Sequence, residues 1–212
     1  LLFFISNLYS NQQKKLAYIV SDINIPFWQI ISKGIKEQSV EFGYEIDIYN
    51  SNNLKKNELE NMALALDKKI DGLIISPINS STAATLLEIA KINNIPVVIA
   101  DIGSNSKDYV SFISSDNKKG AYELGKILAK HMKNLSWNKE GTVGIISIPQ
   151  KRTNGKDRTL GFIQALDEES IKVSGFYQQV DFSYEETYNY SKKLIEENKN
   201  LPSQGTKEWL DN

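Results

Sequence analysis

Two kinds of side chain suit the capture of a small polar molecule: flat rings that cover C–H surfaces, and planar groups that hydrogen-bond hydroxyls in pairs. This 212-residue sequence places both kinds in a few short stretches. Ser21, Asp22, Asn24, Phe27 and Trp28 fall in "SDINIPFW", Ser76, Pro77 and Asn79 in "SPIN", Asp101 in "IADI", and Ser115, Asp116 and Asn117 in "SSDN". A fifth group, from Gln150 to Arg158, contains Asn154 within "QKRTNGKDR". Aromatics, amides, carboxylates and arginine together form a set able to bind a polyol.

Most of these residues also admit a structural reading. Phe27 stands in helical register with Ile31 and Ile35 and would then pack in the core, whereas Trp28 lies off that stripe. Asp22 and Asp101 suit turns in which a carboxylate bonds its own backbone, and Asp116 suits the N-cap of the helix after it. Capping and ligand contact are compatible. Arginine usage is more informative. Of 25 basic residues only Arg152 and Arg158 are not lysine, and both fall in one loop, which suggests a need there for a rigid forked donor.

Other chemistries find little support. The single histidine, His131, sits in "AKHMKN" near a helix end, where a solvated, dipole-stabilised place explains it without catalysis or metal binding. No Ser-His-Asp set and no glycine-rich phosphate loop follows a strand. With no cysteine, thiolate metal sites and disulfides are excluded, and a formal net charge of -1 offers no global field to nucleic acid. No cofactor or metal is expected.

The chemistry-bearing stretches follow short apolar runs. "KLAYIV", "YEIDIYN", "IDGLIIS" and "IPVVIAD" are strand-length and bounded by turn residues, and segments with apolar residues at helical spacing separate them. Gly43 closes the first helix, and Ser80 and Ser81 are expected to cap the third. Strands alternating with helices imply parallel sheet and right-handed crossovers, and ligands of such sheets sit at the carboxyl ends of the strands. After "VSFISSDN" the pattern restarts: a helix through Met132, a strand "GTVGIISI", a helix from about Asp157 to Glu169, a strand "IKVSGFYQQV" and a helix from Tyr184. This second lobe is too short to cover both faces of a sheet, so a fragment cut at both ends is expected. The expected division is 1–14 as the end of a signal peptide or membrane anchor, 15–103 as an N-terminal lobe, and 104–212 as a partial C-terminal lobe. "LLFFISNLYSNQQ" carries the first of these, since its five apolar residues fall far short of the roughly 20 that span a bilayer.

"AYIVSDINIPFWQIISKGIKEQSVEFGYEI", "IDGLIISP", "NNIPVVIADI", "FISSDNKKGAYELGKILAKHM" and "KDRTLGFIQAL" occur in an order that resembles the type I periplasmic solute-binding proteins of the ribose and galactose class. The resemblance runs from about Lys15 to Leu201 and implies a two-lobed α/β fold with doubly wound parallel sheets, the second lobe incomplete. In that family two lobes close on a sugar about hinges. It implies that Phe27 and Trp28 sandwich the sugar ring, that Asp101 and Arg158 grip hydroxyls, and that Asn154 adds a polar contact. Two positions depart from the family pattern: Ile25 precedes Pro26 where a polar residue is common, and Ile102 replaces a basic residue, which argues against ordinary ribose or galactose recognition. The expected function is non-catalytic binding of a sugar or sugar-like ligand outside the cytoplasmic membrane, for the membrane permease of an ABC importer or for a membrane-bound sensor. The alternative is the effector domain of a sugar-responsive transcription repressor. An α/β enzyme of flavodoxin-like form would need a phosphate loop or catalytic dyad that the sequence does not supply.

Overall fold

The computed structural model describes residues 13–139, 141–180 and 183–198. The terminal segment expected as a signal-peptide end or anchor, and the tail "LPSQGTKEWLDN", lie almost wholly outside these residues. Among the described residues no helix is long and apolar enough to cross a membrane.

The chain forms two compact units. Among the described residues, one comprises those up to Ile78 with Thr82–Ala100 and Ser106–Phe112; the other comprises Asn79–Ser81, Asp101–Asn105 and those from Ile113 onward. Strands β1 (Lys15–Val20), β2 (Glu45–Asn50), β3 (Gly72–Ser76), β4 (Val97–Ala100) and β5 (Ser111–Ile113) form a sheet in the order β2-β1-β3-β4-β5. The β1–β2, β1–β3 and β3–β4 pairs are parallel, with Val20 in register with both Asn50 and Ser76. Residues Ala17 to Val20 are fully buried, as a central parallel strand requires. Helices α1 (Pro26–Glu41), α2 (Lys55–Asp67) and α3 (Ser80–Ile92) connect these strands. Ile19, Met62, Leu73, Ile75, Leu86, Leu87 and Ile99 form the first unit's core, each such burial worth about 1.5–3 kcal/mol.

Helix α1 differs from the expected stripe. Phe27, Ile30 and Phe42 are exposed, while Trp28, Ser32 and Ser39 are buried. The buried positions of the helix are thus one tryptophan and two serines, not the apolar residues that helical spacing selects. Pro26 opens the helix at a position that needs no N–H. Gly43, at φ 77°, reverses the chain after it, as expected.

In the second unit α4 (Asn117–Asn134), β6 (Thr142–Ser147), α5 (Thr153–Glu168), β7 (Lys172–Gln178) and α6 (Tyr184–Glu197) succeed one another, with β6 and β7 parallel. Ala129, Met132, Leu166 and Ile171 are buried together, and Trp137, Phe162 and Val173 pack around them. Glycines bring α4 and α5 unusually near: a Cβ on Gly161 would lie 2.1 Å from the Lys118 carbonyl oxygen, and one on Gly125 would lie 2.7 Å from Ala165 Cβ. Helix α5 begins at Thr153, earlier than expected, because neighbouring side chains satisfy its first N–H groups in a Thr-Asn-Gly stretch of poor helix propensity.

Candidate functional site

The first unit's candidate residues follow β1. Asp22 Oδ1 accepts from both the backbone N–H and the Nδ2 of Asn24, each at 3.0 Å, so the turn-forming reading of Asp22 holds. Its Oδ2 accepts from Asn53 Nδ2 at 3.1 Å. Asn50, at the end of β2, accepts from Ile23 N–H at 3.0 Å and donates to Asn52 Oδ1 at 2.7 Å. Asn52 and Asn53 both have positive φ, 49° and 55°, which asparagine tolerates better than other side chains. Sequence reasoning missed this amide network; the "NSNN" run, Asn50 to Asn53, was the available signal. Trp28 is 3% exposed and Phe27 49% exposed, their ring centroids 4.8 Å apart and edge-to-face. Phe27 therefore presents the accessible ring of the pair, which agrees with the ligand-facing reading of this residue rather than with the core packing that its helical register also allowed.

In the second unit Asp101 leaves β4 at φ 68°, a strained conformation for a non-glycine residue. Ile102, next to it, is fully buried. Asp101 N–H donates to the Ile113 carbonyl at 2.8 Å, and its Oδ2 accepts from Asn154 Nδ2 at 2.8 Å. Asn154 Oδ1 accepts from Gly155 N–H at 2.8 Å, so one buried amide links the start of α5 to Asp101. Burial pushes the Asp101 carboxyl above its ordinary range, against the lowering pull of Arg158, Arg152 and the Asn154 hydrogen bond. Asp101, Arg152, Asn154 and Arg158 thus share one electrostatic neighbourhood.

Asp116 caps α4 as expected, its Oδ1 accepting from Lys119 N–H at 3.0 Å. Asn117, one residue on, accepts from Arg158 Nε at 2.7 Å. Asn79, rather than a serine, fills the capping position of α3, its Oδ1 accepting from Ser81 N–H at 3.0 Å. The Ser80 hydroxyl turns instead to α5: it lies 2.5 Å from Thr153 Oγ1 and accepts from Thr153 N–H at 3.2 Å. Arg152, the N-cap of α5, makes no capping bond with its own side chain, so Ser80 serves that helix from another element.

Elsewhere, a hollow of about 380 Å³ on α4 is lined by Glu123, Lys126, Ile127, Lys130, Lys133 and Glu169. Lys126, at 2.5 Å, and Lys133 hold the Glu169 carboxyl down at about 2. This cluster ties the ends of α4 and α5 together and shares no residue with the strand-end groups. Among the described residues no cluster of His, Asp and Glu could hold a metal ion.

Parallel strands alternating with helices, in two units, make this an α/β fold. The chain matches the periplasmic binding protein domain over residues 16–206 and belongs to that family. Its fold is that of the two-lobed sugar-binding proteins. The fructose-binding periplasmic domain of the hybrid two-component system BT1754 superposes with a TM-score of 0.80 at 17% identity, covering 89% of this chain and 61% of that one. A carbohydrate transporter solute-binding protein from Agrobacterium radiobacter, in complex with D-arabinose, also gives 0.80, at 21% identity and covering 89% and 65%. The ribose import binding protein RbsB of Haemophilus influenzae is 27% identical over 188 residues, 88% of this chain and 62% of that protein. The HTH-type transcriptional repressor PurR of Edwardsiella ictaluri is 24% identical over 187 residues, 87% of this chain and 52% of that protein. The chain therefore spans between half and two thirds of the length of these relatives. Binding proteins and repressor effector domains are not enzymes, in agreement with the non-catalytic expectation.

Proposed function

We propose that the protein binds a small hydroxyl-rich ligand of the sugar or polyol class without transforming it, outside the cytoplasmic membrane, and presents it to the permease of an ABC importer or to a membrane-bound sensor. The observation that carries this reading is the strained, half-buried Asp101, hydrogen-bonded by Asn154 and flanked by two guanidinium groups. Strain at a polar strand-end residue is characteristic of ligand-gripping positions. In the first unit the proposed contacts are Asp22, Asn24, Phe27 and Trp28; in the second they are Asp101, Asp116, Asn154 and Arg158. The names of the ribose-import and arabinose-bound relatives support a carbohydrate ligand.

The test is titration calorimetry of the purified protein against a panel of sugars and polyols, with Asp101→Ala and Arg158→Ala beside it. One panel member binds and both variants lose it; unchanged affinity in both variants overturns the reading. Similarity to PurR supports a second reading, an effector domain of a transcription repressor. Fractionating cells that express the natural polypeptide separates the two: periplasmic recovery supports the first, and cytoplasmic recovery with retardation of DNA supports the second.

A further inference from the structure

We infer that the ligand carries an oxyanion, a carboxylate or phosphate on a sugar-like body, bound by the Arg158 fork. This rests on the binding reading above and narrows its ligand class.

Arg158 is exposed and donates through Nε to Asn117 Oδ1 at 2.7 Å. Its two terminal nitrogens make no hydrogen bond or ion pair among the described residues. The guanidinium is thus aimed by a neutral amide, which leaves its paired terminal N–H donors available, while the half-buried Asp101 carboxyl offsets part of its charge. A second guanidinium, on Arg152, is 7% exposed and acts on the same carboxylate, Asp101. Two guanidinium charges therefore act on one half-buried carboxylate. Asp116, the nearest acidic residue along the chain to Asn117, spends Oδ1 on the Lys119 N–H. A neutral sugar needs acceptors and donors in balance, whereas a planar carboxylate or a phosphate matches a fork of parallel N–H groups.

Matched pairs test this: galacturonate against galactose, and ribose 5-phosphate against ribose, each titrated calorimetrically at low and high salt. At least one acid should bind roughly tenfold or more tightly than its neutral partner, the gain of one charge-assisted hydrogen bond, and the gap should shrink as salt rises. Asn117→Asp, which replaces the neutral anchor with a carboxylate of the same shape, should erase most of that gap while thermal melting confirms the fold. Neutral sugars that bind as tightly as their acids would overturn the inference and leave the binding reading standing. A preference for acid that survives in Asn117→Asp would overturn the role given to the Arg158 fork. If no member of either pair and no sugar of the wider panel binds, both readings fall together.

Discussion

Asn154 Nδ2 donates to Asp101 Oδ2 across 2.8 Å, and the other end of the same amide holds Gly155 N–H at 2.8 Å. One side chain therefore couples the orientation of α5's first turn to a carboxylate that backbone strain already holds in place.

This coupling makes Asp101→Asn informative. Because burial raises the carboxyl's folded pKa, the stability it contributes is complete below the unfolded value near 4 and is lost as pH climbs through the folded value. The neutral isostere keeps the acceptor for Asn154 and escapes that loss. Asp101→Asn should therefore melt higher than the parent at pH 7, with the difference vanishing below about pH 4, while ligand affinity falls. Calorimetric melting from pH 3 to pH 7 checks the first outcome.

Phe27 and Trp28 separate packing from recognition. Trp28→Ala empties a buried site and should cost about 3–5 kcal/mol in urea unfolding. Phe27→Ala removes a half-open ring and should cost under about 1 kcal/mol, yet weaken ligand binding measurably. Equal stability losses would contradict the burial assigned to Trp28.

Ser80→Ala should remove about 1 kcal/mol from unfolding stability, the usual worth of an N-cap, because Thr153 N–H loses its acceptor. Ser80→Gly should cost more than it would at a true N-cap, since here the hydroxyl reaches a different helix. Denaturant curves on both variants measure the loss.

Two glycine substitutions should act in opposite directions. At Gly34 a new Cβ meets nothing within 4 Å, so Gly34→Ala should stabilise α1 by about 0.5–1 kcal/mol. At Gly161 it would strike the Lys118 carbonyl, so Gly161→Ala should destabilise the second unit by about 1–3 kcal/mol. Urea midpoints for the two variants give the comparison.

Much of this fold was legible in the sequence because buried parallel strands are short apolar runs. "KLAYIV" is β1 over the same residues, and the ends of β2, β3 and β4 fall within a residue of the expected positions. Groups at strand ends followed from that, and the cap formed by Asp116 was foreseen. Periodicity failed where apolarity was not what decided. In α1 two serines are buried in place of larger apolar residues, and at the start of α5 the side chains of Ser80 and Asn154 supply what local propensity lacks. The asparagine network around Asp22 depends on two left-handed residues in succession, a tertiary arrangement that leaves only a run of amides in the sequence.

Confining the chain's two arginines to the neighbourhood of one carboxylate has a practical side. A dicarbonyl reagent selective for guanidinium has two targets in the whole chain, Arg158 open and Arg152 enclosed, and should label the first well ahead of the second. The protein thus carries a built-in attachment point for a dye or spin probe beside its candidate site, in a background of lysines that such a reagent ignores.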